Sequence, residues 1–187
     1  MELLIAGLVL WSGVHFIPTL VPGLKRQVQS KLGDKGYQGV FALLIVAALA
    51  LIIYGWRHST SETLYILPMA ARQAAMALMV VAIVLFGAAQ YPTRIKQYIR
   101  HPQLSSVLLW SIAHLLANGD SRSLILFGGL GLWSLLEMVL INRREGAWEK
   151  PEIPSWAREL RGLAISLVIL VVLVFAHPYL SGVALIP

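Results

Sequence analysis

Residues Arg100–Asp120 read RHPQLSSVLLWSIAHLLANGD. The basic residues Arg94, Lys96 and Arg100 lead into His101-Pro102, and proline at a first helical position starts a helix. The run from Gln103 to Gly119 carries no Lys, Arg, Asp or Glu, yet it holds His114. It closes on Asn118-Gly119-Asp120, which reads as a helix C-terminus with Asp120 capping the next helix. An imidazole inside an apolar span is costly to desolvate unless something uses it. The stretch predicts a helix crossing a hydrophobic layer, with His114 as a residue that has a task.

The rest of the chain agrees. Of its 187 residues 58% are hydrophobic and 13% charged, where a soluble domain carries about 25% charged residues. The mean hydropathy is +0.74. Six apolar segments approach the ~20 residues that span a bilayer: Leu3–Leu20, Tyr37–Trp56, Pro68–Gln90, Leu104–Ala117, Leu124–Ile141 and Leu160–Leu180. The fourth is short and is expected to extend at both ends. The segments between them are too short to fold alone. The predicted fold is therefore all-α: one domain over residues 1–187, a polytopic membrane helical bundle of about six transmembrane helices. Pro18 and Pro22 bracket the end of the first helix, where a missing N–H costs least. Gln27–Gly36 reads as a short interfacial helix, with Leu24, Val28 and Leu32 on one side. Gly128, Gly129 and Gly131 strip side chains from one face of the fifth helix, for close packing or for a flat ligand.

Charge sets the expected topology. Lys25, Arg26, Lys31 and Lys35, then Arg94, Lys96 and Arg100, then Arg143, Arg144, Lys150, Arg158 and Arg161 occupy alternate loops and their flanks. These are twelve of the fifteen basic residues, so those loops are expected in the cytoplasm and both termini outside. The net charge of +6 follows from this topology rather than from a nucleic-acid surface, and no nucleic-acid partner is expected. Met1-Glu2 lacks a basic n-region, so the first helix reads as retained rather than as a signal peptide. There is no cysteine, which excludes disulfides, thiolate nucleophiles and cysteine metal sites.

Of the five histidines, His58 falls in an outer loop, His177 precedes Pro178 as an interfacial cap, and His101 opens the fourth helix. His15 and His114 remain. At 1.5 Å per residue, His15 lies about 18 Å from one face and His114 about 16 Å from the other. Two imidazoles at matched depth suit bis-His ligation of a metal between them, haem above all. The alternative is that each bonds a neighbouring helix or a buried water. In the haem reading His15 and His114 are the metal ligands. Each gives Nε2 to iron and donates from the other ring nitrogen, His114 preferably to a neighbouring helix rather than to the Trp110 carbonyl. Trp11, Trp110 and Ser111 complete the candidate cofactor-binding set, with Trp133 as a further aromatic wall. Arg100, His101, Asn118 and Asp120 are further polar candidates. Ser111 is expected to bond its own helix backbone, and Glu137 to reach Arg143 or Arg144.

The pieces VHFIPTLVPGLK, RHPQ…LW…AHLLANGD and the terminal HPYLSGVALIP resemble the NnrU family of bacterial membrane proteins over nearly the whole chain. The resemblance implies a multi-pass protein of the bacterial inner membrane, linked with nitric oxide and nitrite metabolism in denitrification. A respiratory or nitric oxide reductase complex is then a partner to expect. The family is in turn similar to zeta-carotene isomerase, a haem b enzyme. Arg100-His101-Pro102-Gln103, Trp110-Ser111-Ile112-Ala113-His114 and Val14-His15 match its motifs, which implies haem b iron on His15 and His114. A small gaseous ligand or a hydrophobic polyene would be the substrate class, the latter for a cis–trans isomerase. The cysteine of that enzyme is Ser111 here, which weakens the isomerase reading. Arg100-His101-Pro102 also resembles isoprenylcysteine-type membrane methyltransferases. Ser106 replaces their glycine, and their downstream Glu-Glu and Tyr-x-x-Tyr elements are missing. A haem-free assembly factor for a respiratory complex also suits the composition.

Single cysteines introduced into this cysteine-free chain report its orientation. Positions 26, 94 and 144 are expected to resist an impermeant thiol reagent applied from outside intact cells. Labelling at position 94 under those conditions reverses the topology.

Overall fold

The structure, a computed structural model, describes residues 1–185. The last two residues of the HPYLSGVALIP motif, Ile186 and Pro187, lie outside the described residues. Six α-helices follow in order: α1 Glu2–Leu20, α2 Pro22–His58, α3 Met69–Gln90, α4 Pro102–Ala117, α5 Ser121–Glu145 and α6 Trp156–Ser181, with a 3-10 turn Arg94–Gln97 before α4. Five are long and apolar enough to cross a membrane. α4, with 16 residues, reaches about 24 Å, short of a ~30 Å hydrocarbon core. It gains residues only at its N-terminal side, where Pro102 takes the first helical position. The C-terminal extension expected for it does not occur, because Asn118 is already extended.

α1 and α2 are joined through Val21 alone, and Pro22 starts α2 as its fixed φ allows. Gly33, at φ 71° and ψ 175°, breaks α2. The segment before the break, 22–32, is helical where a short helix over Gln27–Gly36 was expected, but it begins before Gln27 and stops short of Gly36. Only glycine adopts this φ without cost, so the bend falls there.

Spatial order differs from chain order. α1 packs on α2 and on α5, α5 on α4, α4 on α3, and α3 on α6. In lipid, apolar burial does not by itself drive helices together; close packing over small residues does. A Cβ at Gly55 of α2 would fall on the Leu4 backbone of α1. A Cβ at Gly129 would stand 3.1 Å from Leu8 of α1, and one at Gly131 3.2 Å from Ser111 of α4. Those two glycines face opposite neighbours, which seats α5 between α1 and α4. Gly128 meets only its own Leu124, on the face where Leu124, Leu132, Leu135 and Val139 are exposed. α6 docks on α3 by laying Gly162 against the Tyr91 ring and Ser166 against Gly87. Glu159 secures the same joint, accepting from the Thr93 hydroxyl (2.6 Å) and the Arg94 amide (2.8 Å).

At the opposite end, Asn118-Gly119-Asp120 is clamped by the loop after α2. Leu64 and Tyr65 amides donate to the Gly119 carbonyl at 2.7 and 3.0 Å. The Tyr65 hydroxyl donates to the Leu115 carbonyl at 2.9 Å, and a Cβ at Gly119 would collide with Tyr65. Asp120 caps α5, accepting from the Ser123 amide (3.0 Å) and hydroxyl (2.6 Å). Arg122 stacks over Trp56 at 4.1 Å and donates to its carbonyl.

Partial burial alone would raise the Asp120 carboxyl, but the Ser123 hydroxyl and amide and the Arg122 charge outweigh it and hold it below the ordinary carboxylate value. A carboxylate depressed in the folded state stabilises the fold above its unfolded pKa and loses that effect as pH falls through the folded one. Asp120→Ala is expected to cost about 1 kcal/mol at pH 7. The gap between variant and parent should narrow as unfolding in detergent is repeated in progressively stronger acid, and close below the lowered folded value. A gap that persists there would show that the cap does not act through its charge.

Candidate functional site

Two helices carry one local pattern, Trp-Ser-x-x-His: Trp11–His15 in α1 and Trp110–His114 in α4. Side chains on a helix lean toward its N-terminus, so each imidazole folds back over the indole one turn earlier. The ring centroids lie 4.6 Å apart in α1 and 4.7 Å apart in α4. Nδ1 of His15 donates to the Trp11 carbonyl and Nδ1 of His114 to the Trp110 carbonyl, both at 2.8 Å. The partner expected for His114 on a neighbouring helix is thus replaced by its own helix. The i−4 carbonyl has a second lone pair and is already in reach. With Nδ1 as the donor, the neutral imidazole leaves the Nε2 lone pair free. His58 uses the same device on Tyr54 (2.9 Å) at an exposed position, so the device orients a ring without marking a site.

The surroundings mark it. His15 is half-buried, with its ring 4.9 Å from Trp133 of α5 and 5.4 Å from Phe41 of α2. His114 is half-buried and stacks on Phe127 of α5 at 4.4 Å. Both imidazoles therefore rest on α5, from the two helices that flank it. His15 lies toward Trp133 and His114 toward Phe127, and these differ by about 9 Å along the α5 axis. His114 sits in the last turn of α4, within electrostatic range of His177.

Four buried polar atoms of this region have no hydrogen-bond partner among the described residues: Trp11 Nε1, Trp133 Nε1, Ser111 Oγ and Glu137 Oε2. Ser111 is 1% exposed and faces Gly131. It does not bond its own backbone as expected, whereas Ser134 donates to the Gly131 carbonyl at 2.8 Å. Glu137 is 7% exposed and forms no ion pair with Arg143 or Arg144 within the described residues. Arg144 instead donates to Thr19 and pairs with Glu145. Phe41 and Phe127 escape a reading by charge and spacing, although Phe127 lies one turn before Gly131 on the face turned to α4.

The remaining candidates lie elsewhere. His101 is the N-cap of α4, its Nε2 2.8 Å from Asn142 Oδ1, and Arg100 donates to the Gly146 carbonyl. Both belong to the far end of α4, about 20 Å from His114. Asn118 donates to the His114 carbonyl and Asp120 caps α5, so both shape the turn. His177 donates to the Val183 carbonyl at 2.7 Å, in the capping position expected. Among the described residues, no group of three or more His, Asp or Glu converges as a metal site.

Long apolar helices in a small-residue packing mark a multi-pass α-helical membrane protein, and two of its imidazoles rest on the aromatic face of one helix. A family model described as NnrU protein matches residues 3–185, and the chain belongs to the NnrU family. No curated protein and no solved structure matches it.

A buried hydroxyl without a partner gives nothing back for its desolvation. Ser111→Ala is expected to leave stability unchanged or raise it by up to about 1 kcal/mol, while Ser134→Ala costs about that much. Unfolding in detergent measures both. A loss of more than about 1 kcal/mol for Ser111→Ala would show that its hydroxyl is engaged.

Proposed function

We propose that this protein binds one b-type haem through His15 and His114, over the inner face of α5, in a bacterial inner membrane with both termini outside. The observation that carries the reading is the matched pair of imidazoles, each with Nδ1 tied to its own helix and Nε2 free. Second-shell bonding of this kind holds axial histidines in the ligating tautomer. The absence of a third convergent donor also suits a macrocycle that brings four nitrogens of its own. The unpartnered indole N–H groups of Trp11 and Trp133 suit a ligand with acceptor atoms, since an unsatisfied group in the hydrocarbon core costs several kcal/mol.

In this reading His15 and His114 would hold the iron. Trp11, Trp110, Trp133 and Phe127 exclude lipid and water, and the Trp11 and Trp110 carbonyls fix the imidazoles. Haem supplies reversible one-electron chemistry and, where an axial ligand yields, a place for a diatomic ligand. With the family membership, this supports a role in nitric oxide or nitrite metabolism, as a sensor or handler of a small nitrogen oxide. Haem-dependent polyene isomerisation and a haem-free assembly role are the outcomes that compete in the test.

The test is the absorption spectrum of the detergent-purified protein. A Soret band with sharp reduced α and β bands is expected. His15→Ala and His114→Ala should each shift the reduced spectrum from low-spin toward five-coordinate high-spin and open the iron to carbon monoxide. His58→Ala and His177→Ala should change neither. No Soret band favours the assembly factor. Loss of haem in His101→Ala, with a normal low-spin spectrum in His114→Ala, moves the pocket to the other end of α4.

A further inference from the structure

A cleft lies away from His15 and His114, at the end of the bundle where α4 begins and α5 ends. It is a cleft of about 520 Å³, within the range of small-ligand sites. Lys96, Arg100 and His101 line it from the segment before α4, and Glu145, Trp148 and Glu149 from the segment after α5. The two segments are stapled together. Gln97 donates to the Pro151 carbonyl, and Arg100 donates to the Gly146 carbonyl at 2.8 Å while meeting Glu145 at 3.5 Å. The cleft is thus preformed rather than a gap between loose loops.

Its charges are mixed. Two fixed cations face two carboxylates, so a simple anion meets the glutamates and a simple cation meets Lys96 and Arg100. A dipolar ligand satisfies both walls. Arg100 retains guanidinium N–H groups beyond those it spends on Gly146 and Glu145. His101, the N-cap of α4, lines the cleft beside Arg100. Glu149 is exposed and free to meet an ammonium. Aromatic and basic residues flank the cleft as they do at a membrane surface: Lys150 lies 5.4 Å over Trp148, and Arg94 4.0 Å over Trp156.

We propose that this cleft binds a phosphate ester carrying a primary ammonium, the phosphate toward Arg100 and the ammonium toward Glu149. At this depth a phosphatidylethanolamine head group is one source of that chemistry, and a soluble phosphoamine the other. The site stands apart from the proposed haem, and its failure leaves that reading untouched.

Native mass spectrometry of the detergent-purified full chain, offered equal phosphatidylethanolamine and phosphatidylglycerol, tests it. Retention of the ethanolamine lipid is expected to be at least about tenfold stronger, the worth of one charge-assisted contact. Arg100→Gln should weaken retention about tenfold. Arg100 also braces the loop, so Glu149→Gln, at an exposed position, is the second variant. It should erase the preference for ethanolamine over glycerol. If free O-phosphoethanolamine has no effect, the proposal stands with lipid as the source; if it displaces the lipid, the proposal stands with a soluble source. Equal retention of both lipids by the parent protein, or an unchanged preference in Glu149→Gln, overturns it.

Discussion

The position of α5 decides this structure. Gly129 and Gly131 let two neighbouring helices approach opposite sides of α5 at distances that a Cβ at either position would tighten to little more than 3 Å. In a bilayer, where lipid is as apolar as leucine, such contacts are what hold helices together. Filling both glycines would move α1 and α4 away from α5 together. The aromatic residues under His15 and His114 lie on the same helix, so its packing also sets where they sit.

Polar groups are distributed to match. At both ends of the bundle several charged groups have partners: Asp120 with Ser123, Glu159 with Thr93 and Arg94, Arg100 with Gly146. Lys96 caps the end of α3 through the Ala89 and Tyr91 carbonyls. Around α5 the pattern reverses, with two indole N–H groups, one hydroxyl and one carboxyl oxygen unpartnered. Unpaired groups cost most where no water can reach them; the indoles of Trp11 and Trp133 lie beside the His15 ring, while Arg94 Nε and Arg122 Nε are also unpartnered at the two ends. The two ends are tied by these contacts, and the proposed haem would return part of the desolvation cost in the middle.

The turn Asn118-Gly119-Asp120 illustrates how a motif and a site separate. It lies four residues past His114, yet its groups serve the loop after α2, the end of α4 and the start of α5. Its contribution to the imidazole is indirect, through the position of the last turn of α4. Arg100-His101-Pro102 is its counterpart at the other end, tied to the C-terminal turn of α5 and the loop after it.

Helix number, the apolar spans, the Pro102 and Pro22 helix starts and the Asp120 cap were legible in the residues, because each rests on local chemistry: hydrophobic length, fixed φ, a carboxylate three residues before an amide. The pairing of His15 with His114 was an expectation from depth; both rings meet α5, but toward residues about 9 Å apart along its axis, and the repeated Trp-Ser-x-x-His pattern, equally local, predicts the Nδ1 bonds once it is noticed. What lay beyond the sequence is which helix stands between which. Glycines at 129 and 131 announce close packing, but their partners, Leu8 and Ser111, are chosen by contacts distant in the chain. The same holds for Phe127 beneath His114, for the unpaired Glu137 and for the cleft at Arg100. Each depends on the order α2, α1, α5, α4, α3, α6, which steric fit between helices sets and no local pattern encodes.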